Sequence, residues 1–167
     1  VGEERVQDPA RYGDKPLLSV KDLSIRFDIR KTIFGKVTHR LSAVSKVAFD
    51  IYPGETLALV GESGSGKSTI GRTIQQLQSA HSGDISFNGR GYSEMSAADR
   101  FRMRQEIQYI FQDPFASLDP RKTVGFSIAE PINTHGLLSG GQAIRRRVDE
   151  LLERVGLGSQ YADRYPH

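Results

Sequence analysis

The run Gly61-Glu62-Ser63-Gly64-Ser65-Gly66-Lys67-Ser68-Thr69 gathers residue types that bind phosphate. It fits G-x-x-x-x-G-K-[ST] at every fixed position, the pattern of a loop that cradles a polyphosphate. Glycines at 61, 64 and 66 admit backbone conformations that a Cβ blocks. Successive amides through Ser63 and Ser65 can then turn inward toward phosphate oxygens. A helix opening near Gly66 adds unpaired N–H groups and the positive end of its dipole. Lys67 places a cation between the β- and γ-phosphates, Ser68 offers a hydroxyl to Mg²⁺, and Thr69 can donate to the α-phosphate. The bland alternative is a glycine-rich turn joining a strand to a helix.

The elements around this loop must hold it. Thr56–Val60 is a short apolar run suited to a buried parallel strand. Ile70, Ile74 and Leu77 are spaced to share one face of a following helix. Upstream, Leu18–Phe27 alternates in part with period two, and Ala43–Ile51 is also strand-like, with a basic loop over residues 30–40 between them. Ser82–Gly89 is a short strand bounded by turns. These strands predict a small antiparallel sheet beside a nucleotide-binding core. Residues 96–106 read as a helix with Ser96 as N-cap, and Ile107–Phe111 as the next strand, ending at Gln112-Asp113-Pro114. Prolines and glycines over 113–140 keep helices there short. Ile144, Val148, Leu151, Leu152 and Val155 form one helix face, with Gly156 as its C-terminal cap. Residues 1–16 read as a linker or flexible start.

Composition narrows the chemistry. A chain of 167 residues supports one domain with a real core. The absence of cysteine excludes disulfides and thiolate metal sites. No apolar run approaches membrane-spanning length, and no signal peptide is evident. The first residue is Val, and the chain is expected to be cut from something longer. The net charge of +3 comes from scattered arginines and from Arg145-Arg146-Arg147 on a helix face, a solvated pattern that does not call for nucleic acid.

Read in order, these segments resemble the nucleotide-binding subunit of an ABC transporter, above all the ATPases of oligopeptide, dipeptide and glutathione importers. The resemblance runs from Leu17 to His167. It is carried by Gly54-Glu55-Thr56 leading into Val60–Thr69, by Ile110-Phe111-Gln112-Asp113-Pro114, and by Ala116-Ser117-Leu118-Asp119-Pro120-Arg121. Leu151–Leu157 and the closing Arg164-Tyr165-Pro166-His167 are similar too. The implied fold is α/β: a P-loop core, an antiparallel β-subdomain and part of a helical subdomain, with residues 17–167 a partial nucleotide-binding domain. The resemblance implies ATP and Mg²⁺ as ligands. It makes Lys67 and Gln112 catalytic, with Gln112 helping to hold Mg²⁺ and position water, and it matches Phe27 to an aromatic stacked on adenine. A strand phenylalanine also serves as plain core. Segment 113–135 is similar to the part that meets the membrane partner, and Phe115, Leu118 and Phe126 face either that partner or the interior.

Leu138-Ser139-Gly140-Gly141-Gln142 spells the family's signature in letters. Its context differs: the helix after it runs into Gly156-Leu157-Gly158 rather than into an aliphatic strand ending in Asp-Glu. Arg164–His167 is instead similar to the lead-in to the signature, so the domain is expected to end here before the signature and the Walker B strand. Ser139 and Gln142 read as a capping box. His39, His81, His135 and His167 do not occupy switch-like positions, so the catalytic base lies outside this chain, which alone is expected to hydrolyse negligible ATP.

The implied parent works at the cytoplasmic face of the inner membrane. Its partners are transmembrane permease subunits, a second nucleotide-binding domain and, indirectly, an extracytoplasmic solute-binding protein; nucleic acid is not among them. Competing classes are another P-loop NTPase such as a small-molecule kinase, a cytosolic ABC protein, and a nucleotide-binding fragment without turnover.

Overall fold

The computed structural model describes residues 15–31, 37–113 and 117–167, with backbone alone for 28–31 and 37–41. The linker reading of residues 1–14, the middle of the basic loop and Phe115 lie outside the described residues. The chain divides into two compact units, residues 1–109 and 110–167.

In the first unit, Leu18–Lys31 (β1) and Val37–Ile51 (β2) pair as a long antiparallel hairpin. Both strands run into the stretch expected to be a loop. Ser82–Phe87 (β3) pairs antiparallel with the other edge of β1, and Arg90–Gly91 (β4) pairs with β3. The sheet order β2-β1-β3-β4 is the small antiparallel sheet that the sequence predicts. Its inward residues Val20, Leu23, Ile25, Val44, Phe49, Ile85 and Phe87 bury a continuous apolar core. Ile70 of helix Lys67–Ile74 (α1) and Met103 of helix Ala97–Glu106 (α2) complete it. Burial of a side chain of this size stabilises by about 1.5–3 kcal/mol.

Two expected strands are not formed. Residues 56–60 and 107–111 carry no ladder among the described residues. Leu57, Leu59 and Ile107 still pack against the core, whereas Val60 and Ile110 are 85% and 92% exposed. Apolar runs satisfy only half of what a parallel strand needs. The other half is a neighbour for its N–H and C=O groups, and no described segment supplies one.

The start of α2 follows its sequence signal. The Asp99 amide donates to Ser96 Oγ at 3.2 Å, and the Ser96 amide donates to Asp99 Oδ2 at 3.2 Å, a closed capping box. Arg90 and Arg102 also donate to the same carboxylate, at 2.9–3.2 Å. The Ser96 hydroxyl and then Arg90 hold the Asp99 carboxyl well below the usual aspartate range, outweighing its partial desolvation, with help from the Ser96 amide and Arg102. A carboxyl depressed by folding stabilises above its unfolded pKa of about 3.9 and loses that contribution as pH falls through the folded value. Acidification below about pH 4 is therefore expected to lower the amide protection factors, relative to intrinsic exchange at the same pH, over residues 97–106. An Asp99→Asn protein should show the lower protection already at neutral pH, and equal protection in both proteins would refute the assignment.

In the second unit, helices Val124–Thr134 (α3) and Gly141–Arg154 (α4) pack on the 3₁₀ turn Ser159–Asp163. Val148, Leu152 and Ala162 form the buried centre. Arg145 donates to both carboxylate oxygens of Asp163, at 2.9 and 3.1 Å, and tethers the turn to α4.

Three helices end alike. The Leu157 amide reaches Leu152 O and the Gly156 amide reaches Glu153 O, each at 2.9 Å, the paired bonds of a Schellman cap. Residues 132–137 at the end of α3 and 72–77 at the end of α1 repeat the pattern. These caps correct two expectations. Val155 and Leu77 fall beyond the last turns of α4 and α1, and both are exposed.

A second correction concerns the start of α4. Its N-cap is Gly140 at φ 89°, with no side-chain cap bond. The helix therefore opens one residue later than a Ser139 cap requires, and the expected Ser139–Gln142 box does not form.

Tight packing also sets one residue in α3. A Cβ on Gly125 would stand 2.8 Å from Ala162 O and 3.1 Å from Ala162 Cβ. Alanine there gains at most about 1 kcal/mol of helix propensity, less than the roughly 1–3 kcal/mol cost of overpacking. Gly125→Ala is expected to lower the urea midpoint of the second unit. Gly141→Ala, where nothing lies within 4 Å, is expected to leave it unchanged or raise it, and the same response to both substitutions would refute the packing argument.

Candidate functional site

The glycine-rich loop leads directly into α1. Gly66 is the N-cap residue, with φ 93°, and no side chain caps the helix. The first-turn amides of α1 are thus left to an external acceptor, and their shared dipole favours an anion. The opposite side of Gly66 is walled. A Cβ there would lie 2.6 Å from Ala43 O and 2.7 Å from Val44 Cγ2. Only glycine meets both the positive φ and this approach to β2.

Lys67 closes the mouth of the loop. Its Nζ donates to Gly61 O and Glu62 O, both at 2.7 Å, and to Ser65 Oγ at 3.3 Å. Three donors meet three acceptors, which holds the cation over the loop rather than out in solvent. Gly61 gives Ser65 room: a Cβ on it would come within 2.7 Å of Ser65 Oγ. Gly64, at φ 82°, has open space around it. Ser63 and Ser68 are exposed and Thr69 is partly exposed. The Thr69 carbonyl accepts from Thr73 Oγ1 at 2.8 Å. The loop thus presents amides, one ammonium and two free-standing hydroxyl types around one mouth, a donor set for a phosphate chain with a hydroxyl ligand for a hard cation. No group of three or more His, Asp or Glu able to hold a metal occurs among the described residues.

Phe27 lies on β1, opposite Leu41, and is 40% exposed. It stands two residues from Ile25, whose partner Val44 touches Gly66. The hairpin thereby sets an accessible aromatic near the strand that walls the loop. Gln112 belongs to the second unit, exposed at a bend. In that unit Leu118 and Phe126 are exposed, and Lys122 Nζ sits 4.3 Å over the Phe126 ring.

Sequence reasoning missed three supports of the loop. Ala43 and Val44 wall Gly66 without any motif of their own. Gly71 on α1 faces Tyr109, where a Cβ would stand 3.0 Å from Tyr109 Cε2; a glycine inside a helix was the available signal.

Known proteins align with this arrangement. The glutathione import ATP-binding protein GsiA of Salmonella typhimurium is 49% identical over 165 residues, 99% of this chain and 26% of that protein. GsiA of Escherichia coli O157:H7 is 52% identical over 153 residues, 92% of this chain and 24% of that protein. The chain spans about a quarter of the length of these curated relatives. Among solved structures, the dimeric structure of MJ0796, a bacterial ABC transporter cassette, gives a TM-score of 0.72 at 23% identity, covering 89% of this chain and 61% of that one. The cbiO1 protein of Clostridium perfringens, part of the ABC transporter complex cbiONQ, gives 0.60 at 24% identity, covering 91% of this chain and 55% of that one. At these identities the two structures establish the α/β fold of an ABC cassette for this chain. Residues 44–166 match the family described as ABC transporter, and with the loop, its lysine and the fold in agreement, the chain belongs to that family.

Proposed function

We propose that this chain is the first part of a nucleotide-binding domain that binds magnesium-ATP for an importer of peptides or glutathione-like solutes. The observation that carries the reading is the loop: an uncapped helix start, a glycine fitted against β2, and Lys67 held across the mouth. Residues 61–69 take the phosphates, with Lys67 beside the β- and γ-phosphates, and Phe27 offers its face to adenine. Ser68 and Gln112 are the residues that would hold Mg²⁺, which supplies charge neutralisation when bound. Lys67 stabilises charge developing on the γ-phosphoryl group, and Gln112 orients the attacking water.

The names of the relatives, glutathione import ATP-binding proteins, support the glutathione-like part of this reading. The parent pairs with a second nucleotide-binding domain and with permease subunits at the cytoplasmic face of the inner membrane. No helix among the described residues is long and apolar enough to cross a membrane. The chain alone is expected to show negligible turnover.

The test is calorimetry of the intact protein with magnesium-ATP, beside steady-state phosphate release. Saturable binding, with turnover that Gln112→Ala lowers while binding persists, supports the reading. Absence of binding in the intact protein, or robust turnover by the 167-residue chain alone, overturns it.

A further inference from the structure

The phosphate loop carries an acid as well as a base. Over residues 61–69 the charged side chains are Glu62 and Lys67, so the loop brings no net charge of its own to a polyanion. Lys67 has its part beside the phosphates, whereas Glu62 has none in that reading.

Glu62 stands at the mouth of the loop. Its carbonyl accepts from Lys67 Nζ at 2.7 Å and from the Ser65 amide at 3.2 Å. Its side chain is exposed and, among the described residues, enters no ion pair or hydrogen bond. The carbonyl contact bounds where the carboxylate can be. A glutamate carboxylate reaches about 5 Å from its own Cα, and the Glu62 Cα lies no more than about 5 Å from Lys67 Nζ. In every rotamer, therefore, the anion stays within about 10 Å of the cation that meets the phosphates. That is about one Debye length at 0.1 M salt, so the charge is felt at the site wherever the side chain points. Glu94 differs in this respect. It ends the 3₁₀ turn Tyr92–Glu94, whose Tyr92 Oη donates to Ile74 O in the last turn of α1. The length of α1, about 12 Å for its turns, separates that turn from the loop.

Repulsion from a fixed anion grows with the charge of the incoming phosphate chain. A triphosphate holding a divalent cation carries two negative charges fewer than the bare triphosphate. At about 10 Å in water that difference corresponds to about fourfold in affinity before screening. We infer that Glu62 sets the metal selectivity of the loop: its carboxylate disfavours bare triphosphate more than the magnesium complex, so the loop fills with nucleotide that already carries its cation. The inference rests on the magnesium-ATP reading of the site.

Fluorescence anisotropy of the intact protein with a ribose-labelled, non-hydrolysable ATP analogue tests it. Affinities are read at low ionic strength, once with excess magnesium and once with EDTA. Glu62→Gln is expected to strengthen binding of the bare analogue and to narrow the ratio between the two forms about fourfold. Glu62→Asp, which keeps the charge, should keep the ratio. Glu94→Gln, which removes an equal charge at the far end of α1, should keep it too. At about 1 M salt, where the Debye length is about 3 Å, Glu62→Gln and the unsubstituted protein should show the same ratio. A ratio that Glu62→Gln leaves unchanged, that Glu94→Gln or Glu62→Asp narrows as much, or whose narrowing survives concentrated salt would overturn the inference and leave the nucleotide site standing. Failure of the unsubstituted protein to bind the magnesium complex would overturn the site and the inference together.

Discussion

Replacing Lys67 by alanine is expected to lower magnesium-ATP affinity by one to two orders of magnitude, and to remove turnover of the intact protein, without unfolding it. Its ammonium makes three contacts across the loop mouth, and all three lie at the partly exposed surface, so solvent replaces them readily. What solvent cannot replace is the cation at the phosphates. A hydrogen bond to a charged group contributes about 1.5–3 kcal/mol, and each 1.4 kcal/mol is about tenfold in affinity. Fluorescence anisotropy with a labelled nucleotide reads the affinity, and thermal melting reads the fold. Unchanged affinity would contradict the role given to Lys67, and a collapse in melting temperature would show that the residue is structural instead.

Gly66→Ala is expected to do more damage, in the opposite proportion. Here the methyl group meets Ala43 O at 2.6 Å and Val44 Cγ2 at 2.7 Å. The left-handed backbone adds about 1–2 kcal/mol for any residue with a Cβ, and overpacking adds about 1–3 kcal/mol. The loop escapes only by lifting off β2, which carries the first-turn amides of α1 away from their common focus. Nucleotide binding should fall below detection, and the melting temperature should drop, by several degrees at least for a unit of this size. Lys67→Ala and Gly66→Ala therefore separate charge from shape. A Gly66→Ala protein that melts and binds like the parent sequence would refute the close approach to β2.

What was legible in the sequence was what neighbouring residues decide among themselves. The phosphate loop is contiguous chemistry, and the helix after it opens at Gly66, where the spacing puts it. Ser96 and Gly156 were readable for the same reason, since each cap is settled within a few residues. Errors of one turn or one residue came from competition between local signals. The cap at Gln76 ends α1 before Leu77, and Gly140 displaces Ser139 from the capping position. Larger errors came from partners distant in sequence. Residues 56–60 have the composition of a buried strand, but composition supplies no hydrogen-bonding neighbour. Ala43 walls the loop only because β2 crosses beneath Gly66, a fact no spacing encodes. Gln112 and Phe27 rest on the family pattern, because an exposed glutamine and a half-exposed strand phenylalanine have no local signature of their own.

The hairpin of β1 and β2 has a consequence for how the protein is made. Its two strands are neighbours in sequence, so their pairing closes a short loop at small entropic cost, and domains tend to assemble from the amino terminus as the ribosome extends them. The strand that will receive Gly66 is synthesised before Gly66 and emerges from the ribosome ahead of it. The phosphate cradle thus closes on a surface that precedes it in the chain.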